Sequence, residues 1–247
     1  MEIIGTGFLA RHLRPLVDAH PRVTVLAAGV PRHPLPDSEH RREEQLVRNT
    51  LEHCRSRGRT MVFFSTVSMY GSPGCRGRED EPVVPALPYG QHKLGLEKIV
   101  RDAGVRHLVL RLGYVTGPGE PGYRLLPVLV RRLREGRVTV QRGARRDMLH
   151  VEEFVAALDL LLTAGAVDEV INLASGDCAD ISDVIDHLEL RLGLSAERVP
   201  ADDTVSHCPS VDKLHRIVPE VAELGFGPGY FRTAIDRYLA TADRADP

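Results

Sequence analysis

Tyr89 and Lys93, in the stretch Tyr89-Gly90-Gln91-His92-Lys93, have the types and the spacing for proton transfer. On a helix, residues four apart share one face, so the phenol and the ammonium become neighbours. A nearby positive charge favours the phenolate and draws the tyrosine pKa toward neutrality, which suits a group that protonates a developing alkoxide. Upstream, an apolar run ends in Ser65-Thr66-Val67-Ser68-Met69-Tyr70-Gly71. A hydroxyl at that strand end can hydrogen-bond the same substrate oxygen: Thr66, or Ser65 if the register slips by one. Tyr and Lys at this spacing are also common on solvated helix faces. The pair gains meaning from the elements that position it.

The first of these elements is Glu2-Ile3-Ile4-Gly5-Thr6-Gly7-Phe8-Leu9-Ala10-Arg11, which reads as a short strand, a glycine turn and the opening of a helix. Gly5 and Gly7 let the backbone approach a pyrophosphate, and the helix start at Phe8, Leu9 and Ala10 offers unpaired N–H groups. Ala10 stands where the dinucleotide fingerprint carries its third glycine or an alanine. This helix is predicted over roughly Phe8 to His20. Val23–Ala28, Thr60–Ser65 and His107–Arg111 read as buried parallel strands, and Ser38–Arg57 as a polar-faced helix. Leu94–Ala103 continues the helix that carries Tyr89 and Lys93, and Gly104 closes it. Helices are expected at Glu152–Thr163, Ile181–Leu192 and Phe231–Ala240, with a strand at Val170–Leu173.

In this order the segments resemble the extended short-chain dehydrogenase/reductase family of nucleotide-sugar epimerases, dehydratases and reductases. Val25-Leu26-Ala27-Ala28 is similar to its "HLAA" strand, and Glu79-Asp80-Glu81-Pro82 to the acidic stretch before its catalytic tyrosine. Leu110 to Pro118 resembles its "LRxxNVYGP" strand, Arg146 to Val151 its "RDFIHVDD" signature, and Asn172 to Gly176 its "YNVGSG" segment. The resemblance implies a doubly wound parallel Rossmann-type α/β sheet with a small C-terminal substrate lobe. The expected division is a dinucleotide-binding core over 1–115, to which 147–173 returns, and a lobe from 116–146 and 174–247. It further implies Thr66, Tyr89 and Lys93 as catalytic residues, with Lys93 also reaching the nicotinamide ribose. Gly5, Gly7, Phe8, Leu9, Ala10, Arg11, Ala27 and Ala28 would line the cofactor, and Ser65, Thr66, Tyr114 and Arg146 the substrate.

One βαβ piece of that family is missing. The first helix runs directly into the "HLAA" strand, so the usual second and third strands are absent. In the strand order 3-2-1-4-5-6 this leaves the first strand at an edge, a place for a subunit contact or a covering loop. The acidic residue that reads the adenosine ribose goes with the lost strand. Arg11 and Arg32 could instead meet a 2′-phosphate, which leans the expected cofactor to NADPH over NADH.

The 247 residues suffice for one α/β domain with a lobe, and a net charge of -2 gives no nucleic-acid signature. No long apolar run suggests a membrane span or a signal peptide, so a cytoplasmic enzyme is expected. Cys54, Cys75, Cys178 and Cys208 lack metal-ligand or CxxC spacing and read as reduced thiols. Lysine occurs only at 93, 98 and 213, so all but three of the 32 basic residues are arginine. Seven arginines lie between 131 and 146, mostly consistent with a solvated helix and hairpin. Arg146 falls on the family arginine suited to a diphosphate. His150, in the same signature, reads as a buried, satisfied histidine. Asp212 and Lys213 resemble a segment near the base or sugar.

Dehydratases of the family carry Asp-Glu directly after the active-site threonine, whereas Val67-Ser68 stand here. A chain lacking the adenosine-ribose strand is also poorly equipped to hold NAD permanently, as an epimerase must. The expectation is therefore reduction of a nucleotide-activated 4-keto-6-deoxysugar, with a dTDP-sugar as partner, by an exchangeable NADPH or NADH, in a homodimer. The alternatives are an epimerase with tightly bound NAD and a non-catalytic member that lost its cofactor.

Overall fold

The computed structural model describes residues 1–29, 36–71, 74–201 and 206–242. Its centre is a five-stranded, wholly parallel sheet in the order β1 (Glu2–Ile4), β2 (Val23–Leu26), β3 (Thr60–Thr66), β4 (His107–Leu112) and β8 (Glu169–Leu173). As expected of a doubly wound sheet without its usual second and third strands, β1 forms one edge. Every residue of β2, β3 and β4 is buried, so these strands are apolar on both faces.

Alternation along β3 separates the two cores. Val62 and Phe64 face α1 (Phe8–His12) and α5 (Val151–Thr163), meeting Phe8, Phe154 and Leu158. Met61 and Phe63 face α2 (Asp37–Arg57) and α3 (Pro88–Asp102), meeting Val47, Leu51, Leu96 and Val100. Ser65 therefore belongs to the α2/α3 side and Thr66 to the other. Along the chain follow β5 (Tyr114–Thr116), α4 (Leu125–Arg134), β6 (Arg137–Gln141), β7 (Arg145–His150), β9 (Cys178–Asp180), α6 (Ile181–Leu192), β10 (Glu197–Ala201), α7 (Asp212–Ile217) and α8 (Tyr230–Ala242). A third core joins Leu129 and Leu133 of α4 and Val138 of β6 to Ile185 of α6 and Phe231 and Ile235 of α8.

The structure corrects three expectations. α1 ends at His12 instead of continuing to His20, and Arg14–Leu16 forms a 3₁₀ turn. Pro15 causes the break, because it has no N–H to donate and its ring clashes with the carbonyl four residues back. The arginine-rich stretch is not a hairpin: β6 pairs in parallel with β10, while β7 lies between β5 and β9. Cys178 and Cys208 are not reduced thiols but a disulfide with Cα atoms 5.5 Å apart; Cys54 and Cys75 are free. The bridge joins β9 to the segment after residue 206, where His207 also pairs with Arg146 of β7. Among the described residues no helix is long and apolar enough to cross a membrane.

Candidate active site

Tyr89 is the second residue of α3, half-buried, and Lys93 lies one turn further with 4% of its surface exposed. Pro88 at the first helical position needs no hydrogen-bond partner for its nitrogen, so α3 begins just before the tyrosine. The helix is held from two sides. Lys93 Nζ donates to Glu43 Oε1 of α2 at 2.7 Å and to the Phe64 carbonyl at 3.3 Å, and stands 5.1 Å over the Phe63 ring. One turn on, Glu97 receives both Nε and Nη2 of Arg111, and Arg111 Nη1 donates to the Tyr70 hydroxyl at 2.7 Å. Tyr70 in turn donates to Asn172 Oδ1, whose amide reaches the carbonyls of Gly77 and Ser210. This buried network fixes α3 against the carboxyl ends of β3, β4 and β8.

Glu43 was not foreseen as a site residue, and its signal was present. Glu43, Val47, Leu51 and Cys54 are all buried on one stripe of α2; a carboxylate on a buried stripe needs buried partners. Its second oxygen is 2.8 Å from His92 Nε2. Burial pushes the Glu43 carboxyl up, but the His92 hydrogen bond and the Lys93 ammonium more than offset it and hold it at about 2. Gly29, just past β2, makes room for the pair: a Cβ there would lie 2.9 Å from Glu43 Oε1 and 3.1 Å from Lys93 Nζ.

The hydroxyls at the end of β3 differ in commitment. Thr66 Oγ1 caps the 3₁₀ turn Val67–Tyr70, accepting from the Ser68 N–H at 3.1 Å and donating to Ser68 Oγ at 2.9 Å. Ser65 Oγ is buried, 5% exposed at the residue level, with no hydrogen-bond partner. The serine considered only as a fallback thus carries the uncommitted hydroxyl, on the face shared with Lys93.

The glycine turn sits beside β2. Gly5 has φ +133°, and a Cβ there would be 2.5 Å from the Ala27 carbonyl oxygen, so only glycine fits. Gly7, the N-cap of α1, has nothing within 4 Å of where a Cβ would stand. Phe8 and Ala10 are buried, Leu9 and Ala28 pack against the cores, and Ala27 lines the turn. Arg11 Nη2 donates to the Gly119 carbonyl and His12 Nε2 meets the Pro118 carbonyl, so the loop after β5 is tied to the last residues of α1. The turn thus presses its Gly5 backbone against β2 and leaves open space at Gly7, as the approach of a dinucleotide backbone requires. Arg32 lies outside the described residues.

The expected substrate contacts are less uniform. The Tyr114 hydroxyl donates to buried Glu120 and accepts the Leu126 N–H, while Arg124 lies over the Tyr114 and Phe8 rings at 4.8 and 5.7 Å. Burial, then the Glu120 charge, pushes the Tyr114 phenol well up. Arg146 is half-buried on β7, its Nη1 donating to the Arg145 carbonyl. His150 caps α5, but its buried Nε2 has no partner, unlike the satisfied histidine expected. Asp147, of the same signature, accepts from the Ser175 N–H and hydroxyl and the Gly176 N–H, and burial raises it to about 7. Lys213 is committed to the Val170 carbonyl and Glu169, at the start of β8 and away from the strand ends that carry the site.

Residues 5–174 match the model of the NAD dependent epimerase/dehydratase family. The dTDP-6-deoxy-L-talose 4-dehydrogenase (NAD(P)(+)) of Kitasatospora kifunensis is 31% identical over 159 residues, 58% of this chain and 50% of that protein. The UDP-glucose 4-epimerase of Azospirillum brasilense is 33% identical over 168 residues, 57% of this chain and 47% of that protein. The chain thus spans about half the length of these curated relatives. RMD from Pseudomonas aeruginosa, solved as a complex with NADPH, superposes with a TM-score of 0.78 at 22% identity, covering 97% of this chain and 98% of that one. At that identity the likeness is one of fold.

Proposed function

We propose that this chain, which belongs to the NAD dependent epimerase/dehydratase family, is an NAD(P)H-dependent reductase of a nucleotide-activated keto-deoxysugar, with a dTDP-4-keto-6-deoxyhexose as its substrate. The observation that carries the reading is that α3, with Tyr89 and Lys93 one turn apart, is tied through Lys93 to the Phe64 carbonyl just before Ser65 and Thr66 at the end of β3, where Val67 and Ser68 bring no carboxylate. Elimination of water from a sugar needs an acid and a base at the reacting carbons. Val67 can be neither, and the Ser68 hydroxyl accepts from Thr66. Similarity to a dTDP-6-deoxy-L-talose 4-dehydrogenase supports the substrate class.

A reduced nicotinamide bound on the glycine turn would supply hydride to the carbonyl carbon. Tyr89 gives its phenolic proton to the oxygen as it becomes an alkoxide. Ser65 orients that oxygen with its uncommitted hydroxyl, and Thr66 supports it from the turn. Lys93, with two of its three N–H donors committed, keeps one for the cofactor ribose or the Tyr89 phenol. Arg146 is assigned to the diphosphate of the substrate. Tyr114, its hydroxyl held by Glu120, is assigned a wall of the sugar site. The exposed Arg11 guanidinium favours NADPH over NADH, and the β1 edge is the surface assigned to a homodimer in the cytoplasm.

Titration of the purified protein with NADPH and NADH, read by nicotinamide fluorescence with and without the keto-sugar, tests this reading. Saturable binding with oxidation only when the sugar is added is the expected outcome. Protein that purifies with stoichiometric NAD favours the epimerase reading. Absence of binding to either cofactor, with sugar present, overturns the reductase in favour of a non-catalytic member.

A further inference from the structure

We propose that the Cys178–Cys208 bridge is a thiol–disulfide latch. Closed, it holds residues 206–211 as a strap against β7 and the loop at Gly77; opened by a dithiol, it lowers affinity for the nucleotide sugar. The inference rests on the reading of Arg146 as the residue that meets the diphosphate, and adds a regulation of that same site.

The strap fastens two places at once. At one end the His207 N–H donates to the Arg145 carbonyl at 3.1 Å, and His207 pairs in parallel with Arg146. Ser206 Oγ adds a bond to the Gly143 carbonyl at 2.9 Å. On its other flank Arg146 pairs with Ala179 of β9, next to Cys178. Arg146 thus lies between two backbones, and the bridge, with Cα atoms 5.5 Å apart, ties those flanks to each other. At the other end of the strap the Ser210 N–H donates to the Gly77 carbonyl at 2.9 Å, and the Asn172 amide donates to the carbonyls of both Gly77 and Ser210. Asn172 also accepts from Tyr70, which joins the strap to the Arg111–Glu97 pair that fixes α3. Gly77 has φ +71°, and a Cβ there would meet the Cys208 carbonyl, so the two backbones are packed together.

Residues 206–211 belong to no helix or strand. A segment held by a few hydrogen bonds and a cross-link opens at low cost once the cross-link is gone. Both cysteines are half-buried, within reach of a small dithiol. In the reducing compartment proposed for this enzyme, a disulfide is a redox-responsive device instead of a permanent staple. The step is exchange with a dithiol. Its thiolate attacks one sulfur of the bridge, the other cysteine leaves as a thiolate and takes up a proton, and the second thiol then displaces the first cysteine. The dithiol ends as a disulfide and Cys178 and Cys208 as two thiols, so two electrons and two protons pass to the protein.

The probe for the substrate side is dTDP, titrated calorimetrically into protein kept oxidised or reduced with dithiothreitol. NADPH fluorescence reads the glycine turn in the same samples. Reduction is expected to weaken dTDP binding about tenfold, the effect of losing one placed hydrogen bond to a charged group, and to leave NADPH affinity unchanged. Reoxidation restores dTDP binding. Cys178→Ser/Cys208→Ser binds dTDP like the reduced protein and ignores the dithiol. Cys75→Ser, which removes the other half-buried thiol, keeps the full response. Hydrogen exchange shows the amides of His207 and Ser210 losing protection on reduction.

Equal dTDP affinity in the two states, unchanged exchange at His207 and Ser210, or a bridge that thiol titration finds intact in dithiothreitol overturns the latch and leaves the reductase reading standing. Reduced protein that loses its far-ultraviolet circular dichroism also overturns it, because the bridge is then a staple of the fold. Oxidised protein that binds no dTDP overturns the nucleotide-sugar reading, and the exchange measurement then decides the latch.

Discussion

At the level of single residues, the proposed proton donor Tyr89 lies on α3, one turn before a lysine whose buried carboxylate partner lies on α2. Tyr89→Phe removes the proposed proton donor and keeps the ring, so turnover should fall by roughly 10²–10⁴-fold with substrate affinity nearly unchanged; steady-state kcat and KM check this. Lys93→Met strands the Glu43 carboxylate in the core, and loss of one partner of a buried pair costs about 3–5 kcal/mol, readable by denaturant unfolding. The pair also gives acid sensitivity a definite sign. Glu43 is held at about 2 against an ordinary 4.5, so its contribution to stability is complete above about pH 4.5 and is lost as pH falls toward 2. Unfolding free energy over that window should drop more in wild type than in Glu43→Gln/Lys93→Met. Tyr89 and Lys93 were legible because spacing alone puts them on one face. Glu43 lies 50 residues before its lysine partner, and only the packing of α2 on α3 brings the two together.

At the level of elements, what the sequence made visible were the strands and most helices; chain breaks and pairings across the lobe were not. Continuous apolar runs mark β3 and β4 because both faces are covered. Pro15 was equally visible, and its weight against the apolar pattern of Phe8–Leu16 became clear only from the fold. The glycine turn was legible for a reason the geometry makes strict: Gly5→Ala would drive a Cβ into the Ala27 carbonyl from a left-handed φ. Strain of about 1–3 kcal/mol and loss of NADPH binding are expected, measured by thermal unfolding and fluorescence titration. The Cys178–Cys208 bridge could not be read from spacing, because its partners are 30 residues apart and lie on β9 and on a segment that pairs with β7. Closing a loop of that length is worth about 3–4 kcal/mol in the chain-entropy description. A Cys178→Ser/Cys208→Ser variant should lose a comparable amount under oxidising conditions and match the reduced wild type.

At the level of the whole molecule, the absence of two strands changes what the fold asks of its ligands. The ends of β3, β4 and β8, the helix α3 and the Tyr70–Arg111–Asn172 network converge at the end of the sheet proposed for the reaction. The end proposed for the adenosine lies toward β1, which among the described residues is the edge of the sheet. In the proposed reading, a cofactor held at the strand ends and weakly walled at its adenosine would exchange readily, as reduction with a consumed co-substrate requires. Similarity to both a dehydrogenase and an epimerase makes exchange the property that separates the readings. The most direct measurement is therefore the stoichiometry of turnover by wild-type protein supplied with dTDP-4-keto-6-deoxyhexose and excess NADPH. One NADPH oxidised for each keto-sugar converted to its 4-hydroxy product, over many turnovers, is the expected result. Conversion of a sugar nucleotide to its epimer with no net NADPH consumed would contradict the account.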